Sequence, residues 1–161
     1  MIEEHKVDLL VSHRQIRLEN RPFDDAYCDW GTGNIRQGCI INDGFVIFDP
    51  IVDGTFGAYV HFSVVSRFEV NVDCQRCIVT NFHYTSEFPL LISSAFERVD
   101  LNVSLESGVY NLYFEIIEKD EVYYKFTMTE SSQASRGAFY VINDDFGGVE
   151  GSSVYPGKID D

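Results

Sequence analysis

The sequence predicts an all-β fold, an antiparallel β-sandwich of about 9–11 strands with at most one or two short helical turns. Three observations lead to this prediction. Apolar residues alternate with polar ones in several segments, turn-forming residues separate these segments, and no segment of ten or more residues keeps a helical apolar stripe. The chain has 161 residues, of which 45% are hydrophobic and 14% aromatic, so it can bury a core of its own.

The predicted strands fall into two groups. Every second residue is apolar in four segments, as expected for strands with one buried face: Ala58 to Val64, Phe68 to Val72, Val99 to Leu105 and Val122 to Met128. Four other runs are apolar on both faces, as expected for central strands of a sandwich: 44–48, 78–82, 109–117 and 138–142.

The predicted turns follow from residue type and position. Asn42, Asp43 and Gly44 tolerate positive φ and predict a tight hairpin between "GCII" and "FVIF". Lys119-Asp120 predicts a second hairpin, and "DCQRC" at 73–77 predicts a third. The stretch from 24 to 38 is the one place where a turn or two of helix is expected, and its three glycines keep that helix short.

The chain is predicted to divide into a β-sandwich domain and a tail. Residues 1–143 carry the strand pattern, whereas residues 144–161 are rich in Gly, Ser and acidic residues and lose the alternation. We therefore expect residues 144–161 to form an acidic tail that is flexible or loosely docked.

The net charge restricts the classes of partner. Twelve basic and 26 acidic residues give a net charge of −14, which should repel nucleic acid, because binding to phosphates depends on Lys and Arg. The same charge attracts a basic protein and accelerates its association. We therefore expect no direct nucleic-acid binding, and the charge fits either a ligand for a cationic protein or a surface that only keeps the domain soluble.

The N-terminal sequence and the cysteines predict a soluble cytoplasmic protein. The first ten residues lack the basic and apolar regions of a secretory signal, and no apolar run is long enough for a membrane helix, so no membrane insertion is expected. Four cysteines in a chain of this size do not indicate a disulfide framework. We interpret Cys74 and Cys77 as ordinary thiols in a hairpin loop, because no second pair of ligands completes a zinc site.

Motifs for catalysis are not found in the sequence. It contains no nucleophile signature and no phosphate-binding glycine loop, so we predict that the protein is not an enzyme and needs no cofactor or metal. Two alternatives stay open: a calcium- or carbohydrate-binding β-sandwich that uses its loop acids, and an enzyme that uses paired carboxylates.

The order of several core and turn residues resembles the competence protein J family. The resemblance covers about residues 7–118 and rests on "LLVSHRQIRL", Asp29-Trp30 with Ile35 and Gly38 after it, "GFVIF" at 44–48, and "SGVYNLYFE" at 107–115. Two features depart from the family pattern: Cys39 stands where an aromatic residue is common, and the chain continues into the acidic tail.

The resemblance implies a small acidic protein that inhibits a DNA-degrading nuclease. Its expected partner is a basic nuclease, either of the DNA-entry type or a nuclease toxin for which this chain would be the immunity protein. The family pattern does not identify the contact residues. From the loop positions we predict a partner-binding set in which Trp30, which we also interpret as a lid on the core, serves as anchor: Asp24, Asp25, Asp29, Trp30, Asp49 and Asp53.

Overall fold

The computed structural model describes residues 3–131 and 137–160. Positions 1–2, 132–136 and 161 of the predicted domain and tail lie outside these residues. Within the described part there are twelve strands: β1 Glu3–Val11, β2 Ile16–Glu19, β3 Cys39–Asn42, β4 Phe45–Phe48, β5 Phe56–Val64, β6 Cys74–Tyr84, β7 Leu91–Ser93, β8 Arg98–Asp100, β9 Gly108–Glu118, β10 Val122–Glu130, β11 Ala138–Tyr140 and β12 Ser153–Val154.

The all-β prediction is confirmed. The helical structure of the described residues consists of a 3-10 helix, Asp25–Cys28, and one α-helix, α1, Thr32–Gln37, both inside the stretch where the sequence predicts a helical turn. Gly31 precedes α1, and Gly38 ends it with a φ of 92°, a conformation that glycine adopts without strain. In the described ranges, no helix has the length and apolar character needed to cross a bilayer.

The strands form two sheets. One has the order β1-β5-β10-β9-β6-β11-β12, and the other has the order β3-β4-β2-β7-β8. The predicted hairpins at 42–45 and 118–122 are confirmed, because β3 pairs with β4 and β9 pairs with β10 in antiparallel register. The pair formed by β5 and β10 departs from an antiparallel arrangement, since these strands run parallel, with Phe62 opposite Phe126.

The chain divides into two compact units. The first comprises the described residues of Met1–Asp8, Ala58–Phe82 and Val109–Val154, and the second those of Leu9–Gly57, His83–Gly108 and Tyr155–Asp161. The core of the first unit includes Phe114, whose ring lies 5.2 Å from the ring of Phe126. The second unit contains the cluster of Ile40, Phe45 and Ile47, all buried.

Two predicted strands are absent or shortened in the structure. Residues 65–73 form no strand; Phe68 stacks on Tyr113 of β9 with ring centroids 3.8 Å apart, whereas Val70 and Val72 are exposed. The predicted strand 99–105 is shorter in the structure, because β8 ends at Asp100 and Asn102 then takes a φ of 50°. Alternation over only three apolar residues did not distinguish a strand from an irregular segment at 65–73.

The predicted third hairpin at "DCQRC" is wrong. Cys74 and Cys77 both belong to β6, and the turn comes before them, where the Cys74 amide donates to the Asn71 carbonyl at 3.1 Å. The Asn71 side chain also accepts a hydrogen bond from the Asp73 amide at 2.8 Å. Asn71 and Asp73 have the side chains that stabilise turns, which explains the shift.

The C-terminal residues are hydrogen-bonded in both units. In the first unit β12 pairs with β11, and Asp144 accepts a hydrogen bond from Arg76 at 2.9 Å. In the second unit the Ile159 amide donates to the Asn34 side chain at 2.8 Å. The division at residue 143 and the loose docking of residues 144–161 stay predictions.

Candidate functional site

The first group of predicted contact residues lies around the 3-10 helix. Asp24 precedes this helix, and its carboxylate accepts a hydrogen bond from the Ala26 amide at 2.9 Å, which caps the helix. Asp25 lies in the first turn and is exposed. Among residues 3–131 and 137–160, no cation forms an ion pair with either carboxylate, so both charges face solvent.

The β3–β4 turn adds a carboxylate that the sequence prediction missed. The Asn42 side chain donates to the Tyr27 carbonyl at 3.2 Å, so this turn lies beside the 3-10 helix. Asp43 occupies the turn with 74% of its side chain exposed, and its carboxylate lies 3.8 Å from the His83 ring. The turn was predicted from the sequence, but its place beside the helix depends on a hydrogen bond between residues 15 positions apart in the chain. We call Asp24, Asp25 and Asp43 the turn-side acidic group.

Asp29 is paired with a lysine from the end of the chain. The Lys158 ammonium lies 3.0 Å from the Asp29 carboxylate and 3.7 Å from that of Asp160. The hydrogen bond to Asp29, with the charge of Asp160, raises the pKa of Lys158. Part of the charge of Asp29 is therefore neutralised, and sequence reasoning could not foresee a partner so distant along the chain.

Asn34 holds the C-terminal residues beside this region. Its side-chain oxygen accepts hydrogen bonds from the Gly31 amide at 3.0 Å and the Ile159 amide at 2.8 Å. Its amide nitrogen donates to the carbonyls of Gly157 at 2.9 Å and Cys39 at 3.3 Å. Asn34 has no exposed surface. Its side chain links Gly31, Cys39 of β3 and the C-terminal residues Gly157 and Ile159 by hydrogen bonds.

Trp30 contributes to the core of the second unit, as predicted for a lid. It is partly buried and packs, together with Tyr27 and Cys28, against the buried cluster of Ile40, Phe45 and Ile47. Its predicted role as an anchor for a partner stays a prediction.

Asp49 and Asp53 form a second group, organised by Arg14. The Arg14 guanidinium lies 3.0 Å from the Asp49 carboxylate and also forms an ion pair with Asp53. The hydrogen bonds to Asp53 and Asp49 raise the pKa of Arg14. The other oxygen of Asp49 accepts from the Ile51 amide at 2.7 Å. Asp49 is buried, whereas 83% of the Asp53 side chain is exposed, and Arg14 partly neutralises both carboxylates.

The structure therefore does not bring the six predicted contact residues together in one group. Asn42 and Phe45 flank the β3–β4 turn, next to the first group, whereas Asp49 follows the other end of β4. The part of the chain that the structure describes contains no group of three or more His, Cys, Asp or Glu side chains arranged to hold a metal ion. The calcium alternative gains no support from the acidic loops.

A pocket of about 420 Å³ opens in the second unit. Its lining includes Arg17, Phe23, Phe96, Glu97 and Arg98. The guanidinium of Arg98 lies 4.9 Å from the centre of the Phe23 ring, and that of Arg17 lies 5.5 Å from it. An enzyme that uses paired carboxylates needs two acids facing each other, but this lining contributes one, Glu97, which already accepts a hydrogen bond from the Leu10 amide.

Comparison with known proteins finds a matching family model and similar solved structures. The family model for competence protein J (ComJ) matches residues 8–129. Among solved structures, ComJ from Bacillus subtilis, described as an inhibitor of the DNA-degrading activity of NucA, is similar with a TM-score of 0.67 and 21% identity, covering 81% of this chain and 99% of that one. The protein described as crocagin biosynthetic gene J has a TM-score of 0.51 and 12% identity, covering 80% of this chain and 97% of that one. None of the curated proteins matches the chain.

Proposed function

This chain belongs to the competence protein J family, and we propose that it binds a DNA-degrading nuclease and inhibits it without catalysing a reaction. The observation that carries the proposal is the family match over residues 8–129, most of the chain. The similarity to ComJ, an inhibitor of the DNA-degrading activity of NucA, extends over almost all of that protein and supports the same fold for both. The proposed partner is a basic nuclease.

The net charge supports a nuclease partner on physical grounds. A nuclease binds a polyanion, so its substrate cleft carries cationic side chains and often a metal ion. A chain with a net charge of −14 competes with DNA for such a cleft and approaches it faster than a neutral protein would. Inhibition of this kind needs no cofactor and no reaction, only occupation of the cleft.

The turn-side acidic group is the surface best suited to this contact. Its carboxylates are exposed, and those of Asp24 and Asp25 lie together at the start of the 3-10 helix. Asp49 and Asp53 share Arg14, and Asp29 shares Lys158, so each of them would have to exchange an existing ion pair for one with the nuclease. We place the contact at Asp24, Asp25 and Asp43 and leave the Arg14 network, at the other end of β4, outside it.

A binding experiment tests the proposal. The purified chain is passed over an immobilised DNA-degrading nuclease of the NucA type, and association and dissociation are followed at low and moderate ionic strength. We expect a 1:1 complex whose association slows as salt rises, because exposed charges are screened within about 10 Å at 0.1 M salt. A lack of binding at every ionic strength would contradict the proposal.

The location of the contact can be tested with paired double variants. Asp24→Asn with Asp25→Asn removes two negative charges and keeps the helix cap, since asparagine caps as well as aspartate. We expect association with the nuclease to slow by roughly 10-fold at low salt, because charges at the contact steer the encounter.

The matched control is Asp120→Asn with Glu121→Gln, which removes the same charge from the β9–β10 turn. It should leave the association rate within about 2-fold of the original, because its charges lie outside the proposed contact. Equal effects of the two double variants would mean that the whole charge, and not this surface, guides binding.

The proposal also places the protein in the cytoplasm, as the sequence predicts. Fractionation of cells that express the full chain, followed by detection of the chain in each fraction, checks this location. Recovery of the chain outside the cytoplasmic fraction would contradict it.

A further inference from the structure

The pocket of the second unit combines two exposed aromatic rings with two guanidinium groups. Phe23 and Phe96 both line it, and they are 43% and 61% exposed. Arg17 and Arg98 line it as well, and both guanidiniums lie within cation–π distance of the Phe23 ring. The volume of about 420 Å³ is in the range of pockets that hold small organic molecules. We call it the two-arginine pocket.

The two guanidiniums have hydrogen-bond donors left for a ligand. Arg17 is 7% exposed, and its Nε and Nη2 donate to the Gln15 side chain at 3.1 and 2.7 Å. Its Nη1 lies 3.9 Å from the Glu19 carboxylate, which is longer than a hydrogen bond. Arg98 approaches the same carboxylate through Nε, at 3.5 Å. Within residues 3–131 and 137–160, Nη1 of Arg17 and both Nη atoms of Arg98 therefore donate no hydrogen bond. A buried guanidinium with an unused donor favours an anionic ligand.

The carboxylates near the guanidiniums restrict the charge of that ligand. Glu19 is 2% exposed and also accepts a hydrogen bond from the Ser93 hydroxyl, so its charge balances one of the two arginines. Glu97 lines the pocket, and its carboxylate accepts a hydrogen bond from the Leu10 amide. Because two negative charges lie so close, a phosphate dianion would be repelled more strongly than a monoanion. A carboxylate also matches the planar fork of a guanidinium.

The segment 94–98 forms one wall of the pocket and is held by its own hydrogen bonds. The Ser94 hydroxyl accepts from the amides of Phe96 at 3.2 Å and Glu97 at 3.1 Å. The His13 ring packs edge to face with the Phe96 ring, with centroids 5.4 Å apart. His13 takes a φ of 54°, which is uncommon for a residue other than glycine and costs free energy. The wall is therefore in place before a ligand binds.

We propose that the two-arginine pocket binds a small aromatic monocarboxylate. The carboxylate accepts hydrogen bonds from the unused donors of Arg17 and Arg98, and the aromatic body packs against Phe23 and Phe96. This inference goes beyond the nuclease contact, since no member of the turn-side acidic group lines the pocket.

Calorimetric titration of the full chain tests the proposal with two probes of the same shape. 1-Naphthaleneacetate has an aromatic body and one carboxylate, whereas 1-naphthaleneacetamide has the same body without a charge. We expect the acid to bind at one site and roughly 10-fold more tightly than the amide, because the amide forms no charge-assisted hydrogen bond with the arginines. An equal concentration of inorganic phosphate should leave the acid bound.

Three results of this titration would overturn the proposal. The first is no binding of the acid at millimolar concentration, the second is equal affinity for the acid and the amide, and the third is displacement of the acid by phosphate. The comparison of acid and amide uses the original chain, so it decides the case even if a variant of the pocket fails to fold.

Two variants with the same change in charge locate the binding. Arg98→Gln removes a guanidinium that lines the pocket, and we expect the affinity for 1-naphthaleneacetate to fall by roughly 10-fold. Arg67→Gln removes the same charge from an exposed residue outside the lining and should change the affinity by less than about 2-fold. Circular dichroism checks that both variants fold. An unchanged affinity in folded Arg98→Gln, or equal losses in the two variants, would place the ligand elsewhere and refute the assignment.

Discussion

Asp144→Asn is expected to destabilise the chain by about 3–5 kcal/mol, because it leaves a buried guanidinium without its counter-charge. Arg76 is 1% exposed, and its Nε lies 2.9 Å from Asp144 Oδ2. The other carboxylate oxygen accepts from the amides of Phe146 at 2.8 Å and Gly148 at 2.7 Å, which asparagine can retain. Urea unfolding of the original chain and the variant measures the difference.

A double variant separates the ion pair from packing. Arg76→Met together with Asp144→Asn removes both charges, and methionine fills the space between the rings of Tyr140 and Phe146, which the guanidinium now contacts at 5.4 and 5.7 Å. We expect the double variant to be more stable than Asp144→Asn alone, since no buried charge is left unpaired. Additive losses from the two single changes would refute the coupling of Arg76 and Asp144.

The same carboxylate makes stability depend on pH. Burial alone would raise the pKa of Asp144, but the hydrogen bonds from Arg76, Gly148 and Phe146 outweigh it and hold the pKa below its ordinary value of 3.8. A carboxyl whose pKa is lowered by folding contributes stability above its unfolded pKa and loses that contribution as pH falls through the folded pKa. The difference in unfolding free energy between the original chain and Asp144→Asn should therefore shrink as the pH is lowered below about 4. A difference that stays constant well below pH 4 would argue against an ionised Asp144.

Asn34→Ala is expected to cost about 2–4 kcal/mol, because it leaves several buried or half-buried backbone groups without a partner. The amides of Gly31 and Ile159 and the carbonyl of Gly157 would all lose a hydrogen bond at once. Since Lys158 lies next to Ile159, the change should also release the Asp29 ion pair. Urea unfolding measures the loss, and protease digestion should remove the C-terminal residues sooner in the variant.

Asn143→Ala is the matched control for Asn34. Asn143 also accepts a hydrogen bond from a backbone amide, that of Glu150 at 2.9 Å, but it is exposed, so water replaces the lost bond. Asn143→Ala should lower the free energy of unfolding by less than about 0.5 kcal/mol. Similar losses of unfolding free energy in the two variants would show that the burial of Asn34 does not explain the effect of Asn34→Ala.

The features predicted from the sequence are those that depend on near neighbours. The hairpin at Asn42 to Phe45 follows from residues that tolerate its turn, and the short α1 follows from glycine at both ends. The parallel pairing of β5 with β10 depends on strands that are distant along the chain, which no local pattern records. The "DCQRC" turn was misplaced because its turn residues, Asn71 and Asp73, come earlier than the cysteines that attracted the prediction.

The candidate site shows the same limit. Sequence reasoning identified exposed loop acids such as Asp24 and Asp25, but it did not identify the cations that neutralise others. Arg14 joins Asp49 and Asp53, and Lys158 joins Asp29, across separations that sequence patterns do not reach. The burial of the Glu115 carboxyl was overlooked for a related reason, since an acid within an apolar strand looks like an exposed interruption of the pattern.

Titration of nuclease activity tests the proposed inhibition most directly. A fixed amount of a NucA-type nuclease is mixed with increasing amounts of the full chain, and digestion of linear DNA is followed at physiological salt. We predict that activity falls in proportion to the chain added and is abolished near one equivalent, with the DNA itself unbound by the chain. Undiminished digestion at a large excess of the chain would contradict the account.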